Sequence, residues 1–312
     1  MTAAPFYSVL ADGPERAEAL WIRAADDVRL RAVLWPGGTE GTVLFFSGRT
    51  EYAEKYGPAA RVLASFGYVS MMIDWRGQGL SDRAAYDRLI GHVDDFSEYQ
   101  RDVAAMIALA RGMGLPEPYH MLAHSMGGTI GLRALIEGLP VRSACFSAPM
   151  WGLRVQGALR VTALTLCTLA KLAGLTDFFV PGTGKRSYVL QTDFEDNLLT
   201  RDPDIFAWMK WQLTAKPELG LAGPSLGWLS AAFRETDALA ALPSPDIPAL
   251  AVVGSAERVV DPAAIEWRMS HWPAGALRIV PGAEHEVMVE RPQVRRAFFE
   301  SAAELFAAHG HR

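Results

Sequence analysis

A serine hydroxyl attacks a carbonyl only when a base takes its proton, and the base works best when an acid orients it. The stretch YHMLAHSMGG, residues 119–128 of 312, places one serine where such activation can be built. Residues 119–123 form a short apolar run that reads as a buried strand and stops at His124-Ser125-Met126-Gly127-Gly128. Beyond it Ile130, Leu132, Leu135, Ile136 and Leu139 recur at helical spacing. A strand, a tight turn tipped by serine and then a helix is the layout of a nucleophile elbow. The G-x-S-x-G pattern is met with Ala123 in the first glycine's place and Gly127 in the second's. Such a turn exposes the Ser125 hydroxyl and aims the helix's first amides at an oxyanion forming there. The plainer alternative is a strand–helix junction whose serine only caps the helix.

In an elbow of this kind the acid and then the histidine follow the serine along the chain. Of the seven histidines, His92, His120 and His124 precede Ser125, His271 sits at a helix end, and His309 and His311 fall in the C-terminal tail. His285, in the polar loop PGAEHEVMVE after the last strand-like run, is the expected base. The loop GSAERVVDP offers Glu257 and Asp261 as the acid. Asp261 precedes Pro262 and a helical run, the place of an N-cap with proline at the first helical position. Glu257 has no such structural occupation and is the favoured acid, with Asp261 the alternative. An oxyanion hole takes one amide from the residue after the nucleophile, Met126, and one from the loop Ser47-Gly48-Arg49-Thr50, where Arg49 is the expected donor.

The elements that must carry these residues to one point are legible in the hydrophobic pattern. Residues 19–24 and 28–35 read as an antiparallel hairpin, with Arg29 and Arg31 on a solvated face. Residues 43–46, 68–73, 119–123, 144–147 and 249–253 are short unalternated apolar runs, as expected of parallel strands buried on both faces. Residues 277–280 make the last strand. Helical patterns at 56–66, 96–111 and 293–308 alternate with them, which predicts a right-handed, doubly wound, mostly parallel sheet. From 151 to 242 only helical stretches appear, at 153–175, 203–214 and 226–239. The expected fold is α/β, an α/β-hydrolase core of residues 1–150 and 243–312 with a helical lid inserted at 151–242. Sites in open parallel sheets form beyond the carboxyl ends of the strands, where all the residues above stand.

Composition narrows the remaining classes. A net charge of −5 with no basic stripe excludes nucleic acid as a partner. Cys145 and Cys167 sit in apolar runs and read as buried inert thiols of a reducing compartment, not as a disulfide or zinc framework. The N-terminus MTAAPFYSVLADGPER lacks the basic and apolar regions of a signal peptide. The longest uncharged runs, 161–170 and 219–233, are too short to span a bilayer. A cytoplasmic protein is expected, in peripheral contact with the inner face of the membrane, and its oligomeric state is not readable. VPGTGKRS, residues 180–187, departs from a phosphate loop in its glycine spacing and in the residue after lysine. His120 and His124 are four apart, but on a strand and its turn rather than on one face of a helix. No metal and no cofactor are expected.

FSGRTEYAEKY, IDWRGQGLSD, GHVDDFSEYQRDV, LAHSMGG, SAPMWG and GSAERVVDP together resemble the monoacylglycerol lipase and bacterial lysophospholipase branch of the α/β-hydrolases, over about residues 42–150 and 248–290. The resemblance implies Ser125 as nucleophile, Glu257 at the acid position, His285 as base, and Arg49 and Met126 as oxyanion donors. Many relatives carry His where Ser47 stands and Asp where Glu257 stands. The implied activity is cofactor-free hydrolysis of the carboxylic ester of a lysolipid or monoacylglycerol. Leu159, Leu164, Leu166, Phe178, Phe179 and Trp208 then line an acyl channel or form plain lid core, core being the better expectation. On the same fold, an aminopeptidase or a thioesterase is the alternative, with Asp193, Glu195 and Asp196 holding a substrate amine, and a non-catalytic ligand receptor is a third.

Overall fold

The computed structural model describes residues 2–310, so His311 lies outside the described residues. The apolar runs pair into one sheet of β1 (Thr2–Ala3), β2 (Glu18–Arg23), β3 (Arg29–Trp35), β4 (Gly41–Phe46), β5 (Tyr68–Ile73), β6 (Tyr119–His124), β7 (Ala144–Ser147), β8 (Ala249–Gly254) and β9 (Gly275–Val280). Their order is β1-β2-β3-β5-β4-β6-β7-β8-β9. The first three strands run antiparallel, β3 against β5 included, and all pairs from β5 to β9 are parallel. This is the mostly parallel α/β-hydrolase sheet that the run lengths predict.

The helices are α1 (Ser8–Ala11), α2 (Gly57–Ser65), α3 (Ser97–Gly112), α4 (Met126–Ile136), α5 (Gly157–Leu172), α6 (Tyr188–Gln191), α7 (Pro203–Ala215), α8 (Leu226–Ala240), α9 (Pro262–Ser270) and α10 (Pro292–Ala308). Because side chains alternate along a strand, β4 feeds two cores. Val43 and Phe45 pack with Leu63 of α2 and with Phe298, Phe299 and Phe306 of α10. Leu44 and Phe46 pack with Tyr99 and Met106 of α3, Ile130 of α4 and Trp228 of α8. Helices therefore cover both faces, which is why the central strands show no polar alternation.

The chain leaves β4 to form β5 on one side and returns to form β6 on the other. Loops after β4 and β6 thus diverge and leave a crevice at their carboxyl ends, the usual place for a site. The segment between β7 and β8 holds α5 to α8 and no named strand. α5 is shorter than its pattern predicts, and Gly174 at φ +69° ends it with a left-handed residue just past the C-cap.

One expectation is overturned. Arg31 does not face solvent; it is fully buried. β3 is an interior strand, and the chain before β2 covers its face, with Pro5 O accepting from Arg31 Nη1 at 3.1 Å. The guanidinium bonds Asp74 Oδ2 at 2.8 Å and Glu54 Oε1 at 2.7 Å. Period-two alternation marks a charged face, and a buried, paired charge obeys the same pattern.

Candidate active site

Ser125 follows β6 in a conformation that few residues adopt, φ 49° and ψ −119°. Such backbone strain costs about 1–3 kcal/mol and persists only where the surroundings hold it. Here Ser125 N–H donates to Ser147 O at 3.1 Å, and Ser125 O accepts from Gly128 N–H at 2.8 Å and Met150 N–H at 2.9 Å. Gly127 is required because a Cβ there would stand 1.9 Å from Phe46 O. The turn is therefore sharp for a packing reason, and it presents the serine at the crevice.

The loops after β8 and β9 bring the other two residues to it. His285 Nε2 lies 2.9 Å from Ser125 Oγ, and His285 Nδ1 lies 2.7 Å from Glu257 Oε2. The second carboxylate oxygen of Glu257 accepts from Val259 N–H at 2.6 Å and Val260 N–H at 3.1 Å. Burial alone would raise the Glu257 carboxyl, but the hydrogen bond and charge of His285, with the two amides, outweigh it and hold the pKa below the usual range. Asp261 is engaged elsewhere: it caps α9, accepting from Ala263 N–H at 3.1 Å, and accepts from Gln156 Nε2 at 3.1 Å. The histidine loop is fastened from the segment between β7 and β8, since His285 N–H donates to Leu198 O at 3.2 Å and Glu286 N–H to Leu199 O at 2.8 Å.

The Met126 N–H opens α4, and neither it nor the Arg49 N–H donates to a protein acceptor among the described residues. Both therefore remain available at the crevice. The loop bearing Arg49 is shaped by residues that sequence reasoning left without a role. Gln78 Nε2 donates to Gly48 O at 2.8 Å and to Glu51 O at 3.3 Å, and its oxygen accepts from Thr50 N–H at 3.3 Å. The Glu51 carboxylate accepts from Gly48 N–H and from Tyr56 Oη, the latter at 2.5 Å. Lys55 Nζ bridges Glu51 and Glu286 at 2.7 Å each. Against the effect of burial, Lys55 and then His124 hold the Glu51 pKa down to about 2. The signal for these residues was present: Glu51 and Lys55 stand four apart in the motif FSGRTEYAEKY, and Gln78 falls in the motif DWRGQG.

Donor atoms of Glu51, His124 and Glu286 lie within 4.8 Å of one another, close enough to hold a metal ion. The Lys55 ammonium already bridges the two carboxylates, and His124 Nδ1 sits 2.9 Å from Ser147 O, so the cluster is satisfied as an ion pair. His120 is a core residue, stacked on Phe306, with its pKa pushed down to about 4 by burial.

Ser125 and His285 open on a cavity of about 360 Å³. Its wall is largely apolar: Leu153, Val189, Leu198, Leu199, Met209, Leu213 and Trp228. None of Leu159, Leu164, Leu166, Phe178, Phe179 or Trp208 lines it. α5 packs inward on Cys167 and Ala170 against Leu226 of α8, which leaves Leu159 and Phe178 exposed and keeps α5 away from the wall. Asp193, Glu195 and Asp196 are exposed and outside the cavity as well. A larger depression of about 630 Å³ beside Trp21, Arg29 and Leu109 contains no serine, histidine or carboxylate.

Comparison with known proteins agrees with this architecture. A family model described as "Serine aminopeptidase, S33" matches residues 37–292. The chain is 28% identical to the probable lysophospholipase L2 of Haemophilus influenzae over 83% of this chain and 81% of that one. It is 26% identical to lysophospholipase L2 of Escherichia coli over 91% of this chain and 86% of that one. A soluble variant of monoglyceride lipase from Saccharomyces cerevisiae, solved with a substrate analog, superposes with a TM-score of 0.74 at 22% identity, covering 99% of this chain and 100% of that one.

Proposed function

The chain belongs to the hydrolase family described as serine aminopeptidase, S33, and we propose that it hydrolyses the carboxylic ester of single-chain acyl lipids through an acyl-enzyme. The observation that carries this reading is the hydrogen-bonded line Glu257–His285–Ser125 at the mouth of an apolar cavity. Ser125 Oγ attacks the ester carbonyl while His285 Nε2 takes its proton, and Glu257 stabilises the imidazolium that results. The Arg49 and Met126 amides receive the oxyanion. His285 then gives the proton to the departing alcohol, and water attacks the acyl-enzyme by the same route. The names of the lysophospholipase relatives support a lysolipid substrate. Residues 151–242 act as a lid on the core formed by residues 1–150 and 243–312.

An aminopeptidase needs a free carboxylate to hold the substrate amine. The acidic residues proposed for that task lie outside the cavity, and Glu286 on its wall is bound to Lys55. That favours a lipid ester. Covalent labelling of wild-type protein by a fluorophosphonate, lost in Ser125→Ala, separates a hydrolase from a non-catalytic receptor. The acyl reading is tested by a series of p-nitrophenyl esters. Each methylene buried in the cavity offers about 0.8 kcal/mol, so kcat/KM is expected to rise several-fold per carbon until the cavity is full. A flat or falling profile from acetyl to decanoyl would remove the lipid substrate.

Among the described residues no helix is long and apolar enough to cross a membrane. α5 nevertheless exposes Val161, Leu169 and Leu172, the last at 82%. Thr165 and Thr168 between them turn their hydroxyls back onto the helix, to Val161 O and Leu164 O. Residues 151–190 carry Arg154, Lys171, Lys185 and Arg186 against Asp177, with Arg160 bound to Asp237, in a chain of net charge −5. This face rests on the anionic inner surface of the bilayer, the peripheral contact expected of a cytoplasmic lysolipid hydrolase. Co-sedimentation with vesicles containing phosphatidylglycerol is expected for the wild type and strongly reduced for Leu169→Asp/Leu172→Asp. Equal binding by both proteins would sink the assignment.

A further inference from the structure

The guanidinium groups of Arg31, Arg76 and Arg268, all buried, are compensated. Arg31 is bound by Glu54 and Asp74, Arg76 by Asp26, Glu98 and Asp102, and Arg268 by the carbonyls of Leu239 and Leu242. Arg49, on the wall of the cavity that holds Ser125, makes one hydrogen bond, from Nη2 to Ala222 O at 2.8 Å. Its guanidinium lies 5.2 Å from the centre of the Trp228 ring. Nε is buried with no partner, and no carboxylate lies within ion-pair distance among the described residues. Burial lowers the Arg49 pKa to about 10, opposed only by the Tyr99 hydroxyl, so the group stays a cation at neutral pH. The other cation on the wall, Lys55, is already bound to both Glu51 and Glu286 and is not free to pair with a ligand. A half-buried cation held by one hydrogen bond on an apolar cavity wall, with its Nε buried and unpaired, is suited to an anionic ligand.

We propose that the Arg49 side chain binds the phosphate group of a lysophospholipid whose ester lies at Ser125, making anionic lysophospholipids preferred over neutral monoacylglycerols. This rests on the ester-hydrolase reading above. The position suits it. The Arg49 backbone N–H is the proposed oxyanion donor, so the ester carbonyl would sit at the base of the same side chain whose guanidinium lies by Ala222 and Trp228. The same number of bonds separates backbone nitrogen from Cζ in arginine as separates the ester carbonyl carbon from phosphorus in a 1-acyl-glycerophospholipid. A phosphate at that distance meets a planar fork of donors that matches its oxygens. A monoacylglycerol offers only a hydroxyl there and leaves the cation unpaired.

The test compares 1-decanoyl-glycerophosphoglycerol with 1-decanoylglycerol, both below their aggregation concentrations, and reads the ratio of the two kcat/KM values. Any general loss from disturbing the oxyanion loop cancels in that ratio. In Arg49→Met the ratio is expected to fall about 10- to 100-fold, the range for losing a hydrogen bond to a charged group, and Arg49→Lys is expected to fall between. A ratio unchanged in Arg49→Met would overturn the proposal while leaving the esterase reading intact. A wild type inactive on both esters removes both. A second arm needs only the wild type: the ether 1-O-decyl-glycerol-3-phosphate is expected to inhibit decanoylglycerol hydrolysis about ten-fold more tightly than 1-O-decylglycerol. Inorganic phosphate at the same concentration is expected to leave the rate unchanged. Equal inhibition by the two ethers, or equal inhibition by inorganic phosphate and the ether phosphate, would defeat a headgroup subsite.

Discussion

Ser125→Ala is expected to lower kcat for ester hydrolysis by about 10⁶-fold, with His285→Ala costing nearly as much and the double variant little more. The reason is that in the proposed mechanism the two side chains act as one device. Without Oγ there is no acyl-enzyme, and without Nε2 at 2.9 Å the hydroxyl keeps its proton. Once either is lost, the other has nothing left to assist. In the proposed mechanism the residual rate comes from the Arg49 and Met126 amides and from substrate binding, which these substitutions spare. Alanine at position 125 inherits the backbone at φ 49° and the three hydrogen bonds that hold it, so the melting temperature is expected to stay near that of the wild type. A Ser125→Ala protein, folded and retaining a tenth of the wild-type rate, would place the chemistry elsewhere.

How much of this was legible before the structure depends on what each residue's role requires of its neighbours in sequence. The elbow is local: an apolar run, His124-Ser125-Met126-Gly127, and a helical pattern specify it, and Gly127 is forced by one backbone oxygen. The strand runs are likewise local, because a strand buried on both faces cannot carry polar residues. Arg31 shows the limit. A charge at an alternating position reads as solvent-facing, and only the fold brings Glu54 and Asp74 to it from 23 and 43 residues away. The same holds for Gln78, which bonds the Arg49 loop from 30 residues further on. The cavity wall was the least legible part. Leu159 and Phe178 are as apolar as Leu213 and Trp228, and which of them meets the site is decided by how the segments between β7 and β8 pack, not by hydrophobicity. The sign of Arg49 was plain in the sequence, but its lack of a counter-ion was not.

Glu257→Gln is expected to lower kcat by about 10⁴-fold with the fold intact, the size of effect seen when a triad acid becomes an amide. The geometry gives the reason. The oxygen Oε1 of Glu257 accepts from the Val259 and Val260 amides, so in the glutamine variant that position has to be taken by the amide oxygen. The amide NH₂ then faces His285 Nδ1, where Oε2 stands at 2.7 Å in the wild type. A donor there forces Nδ1 to be the acceptor and puts the ring proton on Nε2, the nitrogen that must take the proton from Ser125. The imidazole is held in place but in the wrong tautomer, and the charge that would stabilise imidazolium is gone. Asp261→Asn is the control from the same loop. Asp261 spends its side chain on Ala263 N–H at the start of α9 and on Gln156, and asparagine caps a helix nearly as well. Its cost is expected to be about 1 kcal/mol of stability or less, with kcat within a few-fold of wild type. Steady-state kinetics and thermal melts of the two variants decide it. Inactive Asp261→Asn beside active Glu257→Gln would transfer the acid role to Asp261.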